Sequence, residues 1–298
     1  MGKRIIHHLN GDIYNFSNII NGDLVMGNIM GGVHINGNSI RQNCIKCSNN
    51  MITKEINVKG NYQSLINESI VDIDYYEDNE ESIQLTAPDN IIDYIHVEED
   101  TSILYVKMDN VSISTSYTNR PKIVIKHHGL KSISNGGCSD IKLHGILTLR
   151  EIATQGSGEV SLQEGSIQAK NISCRLAGSG DIDLSEISAN KIELSLRGSG
   201  DVNINKATSK GVAIDIIGSG DVRISGKSEL VKYNIMGSGD IDAYDLEAEM
   251  GAANIMGSGD INCNVGQLTQ NTMGSGDVNN RNFGQFVEQP INTQTFTL

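Results

Sequence analysis

Tryptophan is absent, proline occurs three times and phenylalanine four times, so aromatic residues make up only 4% of the 298 positions. A core this poor in rings has to be built from Val, Ile and Leu in narrow layers. Positive charge is scarce too: 23 Lys and Arg stand against 36 Asp and Glu, a formal net charge of −13. That balance argues against a nucleic-acid backbone as partner, because phosphate binding draws on clustered basic residues, and equally against adhesion to anionic lipid. No run of 18 apolar residues is present, so no membrane insertion by a helix is expected. Asn10, Gly11, Asp12, Asn15, Asn18 and Asn21 interrupt residues 5–30, where a leader would need an unbroken apolar run. The expectation is a protein made without a cleaved leader, cytoplasmic as synthesised, reaching a virion or the exterior only by a non-classical route.

Cysteine is sparse and does not form a pattern. Cys174 and Cys263 fall in apolar columns and read as small core residues. Cys44 and Cys47 make a lone C-x-x-C, and a zinc site there would have to recruit His7, His8 or His34; reduced thiols are the simpler reading.

What the chain has in abundance is glycine, 32 residues, and much of it is periodic. Gly-Ser-Gly followed by an acid begins at Gly156, Gly178, Gly198, Gly218, Gly237, Gly257 and Gly274, at intervals of 22, 20, 20, 19, 20 and 17 residues. A worn copy, Gly137-Cys138-Ser139-Asp140, precedes them. One residue after each acid come Val160, Ile182, Val202, Val222, Ile241, Ile261 and Val278, and two before the five middle tetrapeptides come Leu176, Leu196, Ile216, Ile235 and Ile255. Polar residues fill the places between. This period-two alternation on both sides of the tetrapeptide specifies strands with one face inside. About 20 residues per unit is too short for a strand and a helix with their loops, but suits one coil of a parallel β-helix, whose corners need glycine for positive φ or close approach. Eight coils at ~4.8 Å each would make a rod of about 38 Å.

The recurrent Gly-Ser-Gly-Asp-(Ile/Val)-x-(Leu/Ile), preceded by Ile70–Ile73, Ile83–Ala87 and Ser102–Val106, resembles the head GIN domain of autotransporter adhesins over residues 61–280. The resemblance implies a right-handed, single-stranded β-helix and an exported surface protein without catalytic activity.

Residues 1–60 differ in texture. Asn-Gly pairs at 10–11, 21–22 and 36–37 separate short apolar runs, a strong hairpin signal, so this stretch is expected to be a β-rich cap or docking module. Residues 281–298 lose the repeat, and the alternating tail from Ile291 to Leu298 is expected to close the last coil or to pair with another chain. His127-His128 follows the strand Lys122–Lys126 and reads as a turn.

Chemistry is confined to the outside of the coils. Asp140, Glu159, Asp181, Asp201, Asp221, Asp240, Asp260 and Asp277 form an outward column in which neighbours repel by about 0.9 kcal/mol in bulk water. Either each carboxylate accepts a backbone N–H in its own turn, or cations bind along the column, with Asp181, Asp201, Asp221, Asp240 and Asp260 as the metal candidates. Calcium requires six to eight oxygens per ion, and one acid per coil does not supply them. Arg175 and Arg197 face outward, but the uniform coils lack the insertions that would build a catalytic cleft. One place before the tetrapeptide, Ile217, Met236, Met256 and Met273 make an outward apolar stripe, an expected interaction face.

The sequence therefore predicts an all-β protein: a β-rich module over 1–60, a right-handed parallel β-helix over 61–280 and a capping strand or tail over 281–298. It predicts a non-enzymatic, acidic, adhesin-like scaffold without cofactor, with a protein or glycan partner or as a homo-oligomer. A bactofilin-like filament or phage virion component is the alternative, and a polysaccharide-active enzyme the weaker one.

Overall fold

The computed structural model describes residues 44–116 and 119–282, together with six short strands between residues 6 and 40. The chain divides into two compact units, residues 1–46 with 111–114, and residues 47–110 with 115–298.

In the first unit Ile6–Leu9 pairs antiparallel with Asp12–Asn15, Asn18–Ile20 with Asp23–Val25, and Val33–Ile35 with Asn38–Ile40, so each Asn-Gly pair lies between two antiparallel strands. Ile45–Lys46 pairs parallel with Ile113–Ser114.

The second unit is a β-solenoid of about 7 turns. The eight corner motifs bound seven windings, and the last corner opens only the short strand Val278–Asn280. Most windings are one long strand, as in Val202–Gly218, Val222–Gly237 and Ile241–Gly257, while those that begin at Ile141 and Ile182 are each broken into two; each pairs parallel with the next in a register that superimposes the motifs. Val160, Ile182, Val202, Val222, Ile241 and Ile261 are direct neighbours in that ladder and are at most 1% exposed. Leu176, Leu196, Ile216, Ile235 and Ile255 form a second inner column of the same kind. Burying each of these side chains contributes roughly 1.5–3 kcal/mol, and the parity of the sequence repeats the contribution coil after coil.

The two ends are built differently. At the start, Ser64–Glu68 and Asp72–Glu77 pair on one side with Ser132–Asn135 and with Ile141–His144. On the other side they meet Ile103–Met108 and Lys122–His127, which in turn pair antiparallel with Ile95–Asp100 and with Ser82–Thr86. Met51–Glu55 adds antiparallel to Ser82–Pro88. The strand edges that a solenoid exposes at its opening are thus carried into antiparallel ladders by residues 82–127. At the far end the inner columns turn polar. Gln270 stands in register with buried Ala253 and Thr272 with buried Ile255, and both are exposed. The Asn280 amide caps Val265 of the last winding, accepting from its N–H at 2.9 Å and donating to its carbonyl at 2.9 Å; the tail expected to close the coil lies outside the described residues.

Candidate functional site

The corner at which each winding passes through its tetrapeptide is the one feature repeated with constant chemistry. Both glycines are required by contact between coils. A Cβ on Gly220 would lie 2.1 Å from the carbonyl oxygen of Gly200, and one on Gly218, where φ is +140°, 2.3 Å from that of Gly198. Corners can therefore stack at strand spacing only if neither residue carries a side chain. The serine between them donates its N–H to the preceding coil, Ser219 to Gly198 and Ser238 to Gly218, both at 2.9 Å. Its side chain stands in solvent, so Ser179, Ser199, Ser219, Ser238, Ser258 and Ser275 form an exposed hydroxyl column.

The acids stack as the sequence implies, but their partners differ from the expectation. Asp181 Oδ1 accepts the backbone N–H of Asp201 at 2.8 Å, Asp201 that of Asp221 at 2.9 Å, Asp221 that of Asp240 at 2.8 Å, Asp240 that of Asp260 at 2.7 Å, and Asp260 that of Asp277 at 2.8 Å. Each carboxylate thus bonds to the next coil rather than to its own turn, and the column of like charges is also a row of charge-assisted hydrogen bonds between coils. A shorter run of the same kind precedes it, in which Asp72 accepts Asp140 N–H at 3.0 Å and Asp140 accepts Glu159 N–H at 3.1 Å. Burial pushes the Asp72 carboxyl above its ordinary value, against the pull of that N–H and of Arg120. Among the described residues no group of three or more His, Cys, Asp or Glu could hold a metal ion. Cys44 is exposed and Cys47 buried, and the side chains of His7, His8 and His34 lie outside the described residues.

On the other side of the corner Arg197, Ile217, Met236, Met256 and Met273 are neighbours in register. The four apolar members are 44%, 51%, 53% and 62% exposed, an unusual level for such side chains on successive strands. Two residues further from the corner runs an amide row, in which Asn234 donates to Asp215 at 2.6 Å and Asn254 to Asn234 at 3.0 Å. Arg175 belongs to this row, in register with Ser195, and pairs with Glu151, whereas Arg197 stands in the apolar column. The two arginines do not make one basic patch.

Sequence reasoning missed one constellation. His127 ends a strand facing inward, 2% exposed, with Nε2 2.8 Å from the Tyr62 carbonyl and its ring stacked on Tyr62 at 3.9 Å. His128 alone is the exposed turn residue, with Nδ1 2.8 Å from Glu77. Continued alternation through Lys122–His127 was the signal for it. A recess of about 370 Å³ beside Tyr62 is lined also by Ile56, Val58, Glu81, Ile83 and Lys126.

The fold and the repeat have relatives. The family described as putative auto-transporter adhesin, head GIN domain, matches residues 61–186 and again 175–283. A crystal structure of a putative lipid binding protein from Parabacteroides distasonis is similar with a TM-score of 0.70 and 24% identity, over 79% of this chain and 98% of that one. A putative adhesin from the same organism shares 20% identity over 80% and 100% of the two chains, and one from Parabacteroides merdae 18% over 79% and 98%, each with a TM-score of 0.70. At such identities the likeness concerns fold alone. No curated protein matches the sequence.

Proposed function

We propose, from the premise that this chain belongs to the family described as putative auto-transporter adhesin, head GIN domain, that it is a non-catalytic, adhesin-like binding protein whose contacts are made by the outer face of the solenoid. The observation that carries this reading is the exposed corner face: an apolar stripe, a hydroxyl column and an acid column repeat without insertion over successive windings of the described residues. A cleft with a positioned acid and base, which glycan hydrolysis or elimination requires, finds no counterpart along these corners. A protein or glycan partner suits the reading. Among the described residues the last winding carries Gln270 and Thr272 in register with buried Ala253 and Ile255, so an end-to-end filament would have to stack polar groups there.

The test is binding of the purified, full chain to arrays of glycans and cell-surface proteins, with product analysis of the bound glycans. Saturable binding without turnover is expected. Turnover that disappears in Asp201→Asn would overturn the proposal.

A further inference from the structure

We infer that the stripe Ile217–Met236–Met256–Met273 is a docking site for a basic amphipathic helix laid along the solenoid axis, an inference that rests on the adhesive reading above and names the chemistry of the partner. The stripe and a helix have nearly matching periods. In-register strands repeat at ~4.8 Å and an α-helix at 5.4 Å per turn, so four apolar groups spaced over ~14 Å face helix positions i, i+4, i+7 and i+11 spread over ~16 Å. Methionine, unbranched and polarizable, takes up the small mismatch, whereas a rigid aromatic stripe would not. A β-strand laid along the same axis would offer same-face groups at nearly 7 Å and lose register within two coils.

Charge selects a basic partner. Asp221, Asp240, Asp260 and Asp277 follow the stripe residues by four positions, so at most ~14 Å of chain separates each acid from its apolar neighbour. Among the described residues none of these carboxylates has an ion pair, and each spends one oxygen on the next coil except the last. On the opposite flank Asp215 accepts from Asn234; among the described residues Arg197 stands in the stripe's own column and Lys232 four residues before Met236, while Arg223, two residues past Asp221, is paired with Asp242. The face is therefore apolar with an acidic border, and its complement is apolar with a basic border.

The area suits a partner of this size. The four exposed side chains present roughly 400 Å², among the larger apolar patches of soluble proteins but half of the ~800 Å² that one partner brings to a stable interface. The acid border has to supply the rest. A second copy of this chain would fill the apolar half but bring two acid columns together.

The experiment is fluorescence anisotropy on the full chain with a labelled 15-residue peptide of Leu and Lys in helical spacing. The controls are a scrambled peptide of the same composition and one with Glu for Lys. The helical basic peptide should bind at least tenfold tighter than either control. The double variant Met236→Ser/Met256→Ser, with an unchanged thermal midpoint, should lose tenfold or more. Asp240→Asn/Asp260→Asn, which keeps the Oδ1 acceptors, should lose about threefold and flatten the dependence on salt. Equal binding of the scrambled or acidic peptide, or no effect of the methionine variant, overturns the inference. So does a dimer in light scattering that the methionine variant dissociates, or tighter binding of neutral phosphatidylcholine vesicles than of the peptide. Array binding that survives the methionine variant while the peptide fails to bind leaves the adhesive reading standing without this site. Failure of both removes both.

Discussion

Gly220 shows how little freedom a corner residue has, since its missing Cβ is space already occupied by the Gly200 carbonyl. Gly220→Ala is expected to cost about 3 kcal/mol or more by chemical denaturation, while Ser219→Ala, one residue away and exposed, should change stability by less than about 0.5 kcal/mol. At Asp221 the carboxylate holds the Asp240 N–H and also repels its neighbours. Asp221→Ala should cost roughly 1 kcal/mol, and Asp221→Asn, which keeps the acceptor and removes the charge, should cost less. The Tyr233 hydroxyl is buried without a hydrogen-bond partner in the inner column, so Tyr233→Phe should be neutral or stabilising by up to about 1 kcal/mol. Burial pushes the thiols of Cys174 and Cys263 up to about 12, and raises Tyr62, Tyr75 and Tyr233 in the same sense. Because these folded-state values exceed the unfolded ones, the native state holds the protons more tightly. Their contribution is complete below pH 9 and declines as pH rises from 9 to 12. Denaturation midpoints should fall across that window, and alkylation at pH 8 should reach Cys44 and Cys138 but spare Cys174 and Cys263 until the chain unfolds. At this scale the alternation of the sequence told inside from outside at Val202 or Ile235. It could not tell which backbone N–H an aspartate meets, because a contact between coils is invisible to neighbours in sequence.

Strands and corners followed from the period, but the two ends of the solenoid followed from departures from it. Ile83–Ala87 and Lys122–Lys126 read as strands without a stated partner, because antiparallel pairing across 40 residues leaves no local mark. The polar closure was on the page as Gln270 and Thr272 in columns otherwise filled by Ala253 and Ile255, and it became legible once the register was known. It makes a clear expectation: Gln270→Ile/Thr272→Ile should turn a solvated edge into an adhesive one, giving concentration-dependent association in light scattering where the parent chain shows none through that end. The exposed apolar stripe was readable from parity alone, since Ile217, Met236, Met256 and Met273 share a position relative to the glycines. Its acidic border follows from the same spacing, because Asp221, Asp240, Asp260 and Asp277 each follow a stripe residue by four positions.

Across the whole molecule one principle connects stability to binding. Successive coils bury identical columns inside, so the outside is a lattice of columns at strand spacing, and its chemistry is repeated instead of concentrated in a cleft. That central claim is tested most directly by distances between spin labels on the serine column, in a background with Cys44 and Cys138 replaced by Ser. Labels at Ser199→Cys paired in turn with Ser238→Cys, Ser258→Cys and Ser275→Cys lie two, three and four windings apart. Their mean separations by pulsed electron resonance should increase by about 4.8 Å per winding. Separations that do not grow in step with the number of windings would contradict the stacked solenoid and every surface argued from it.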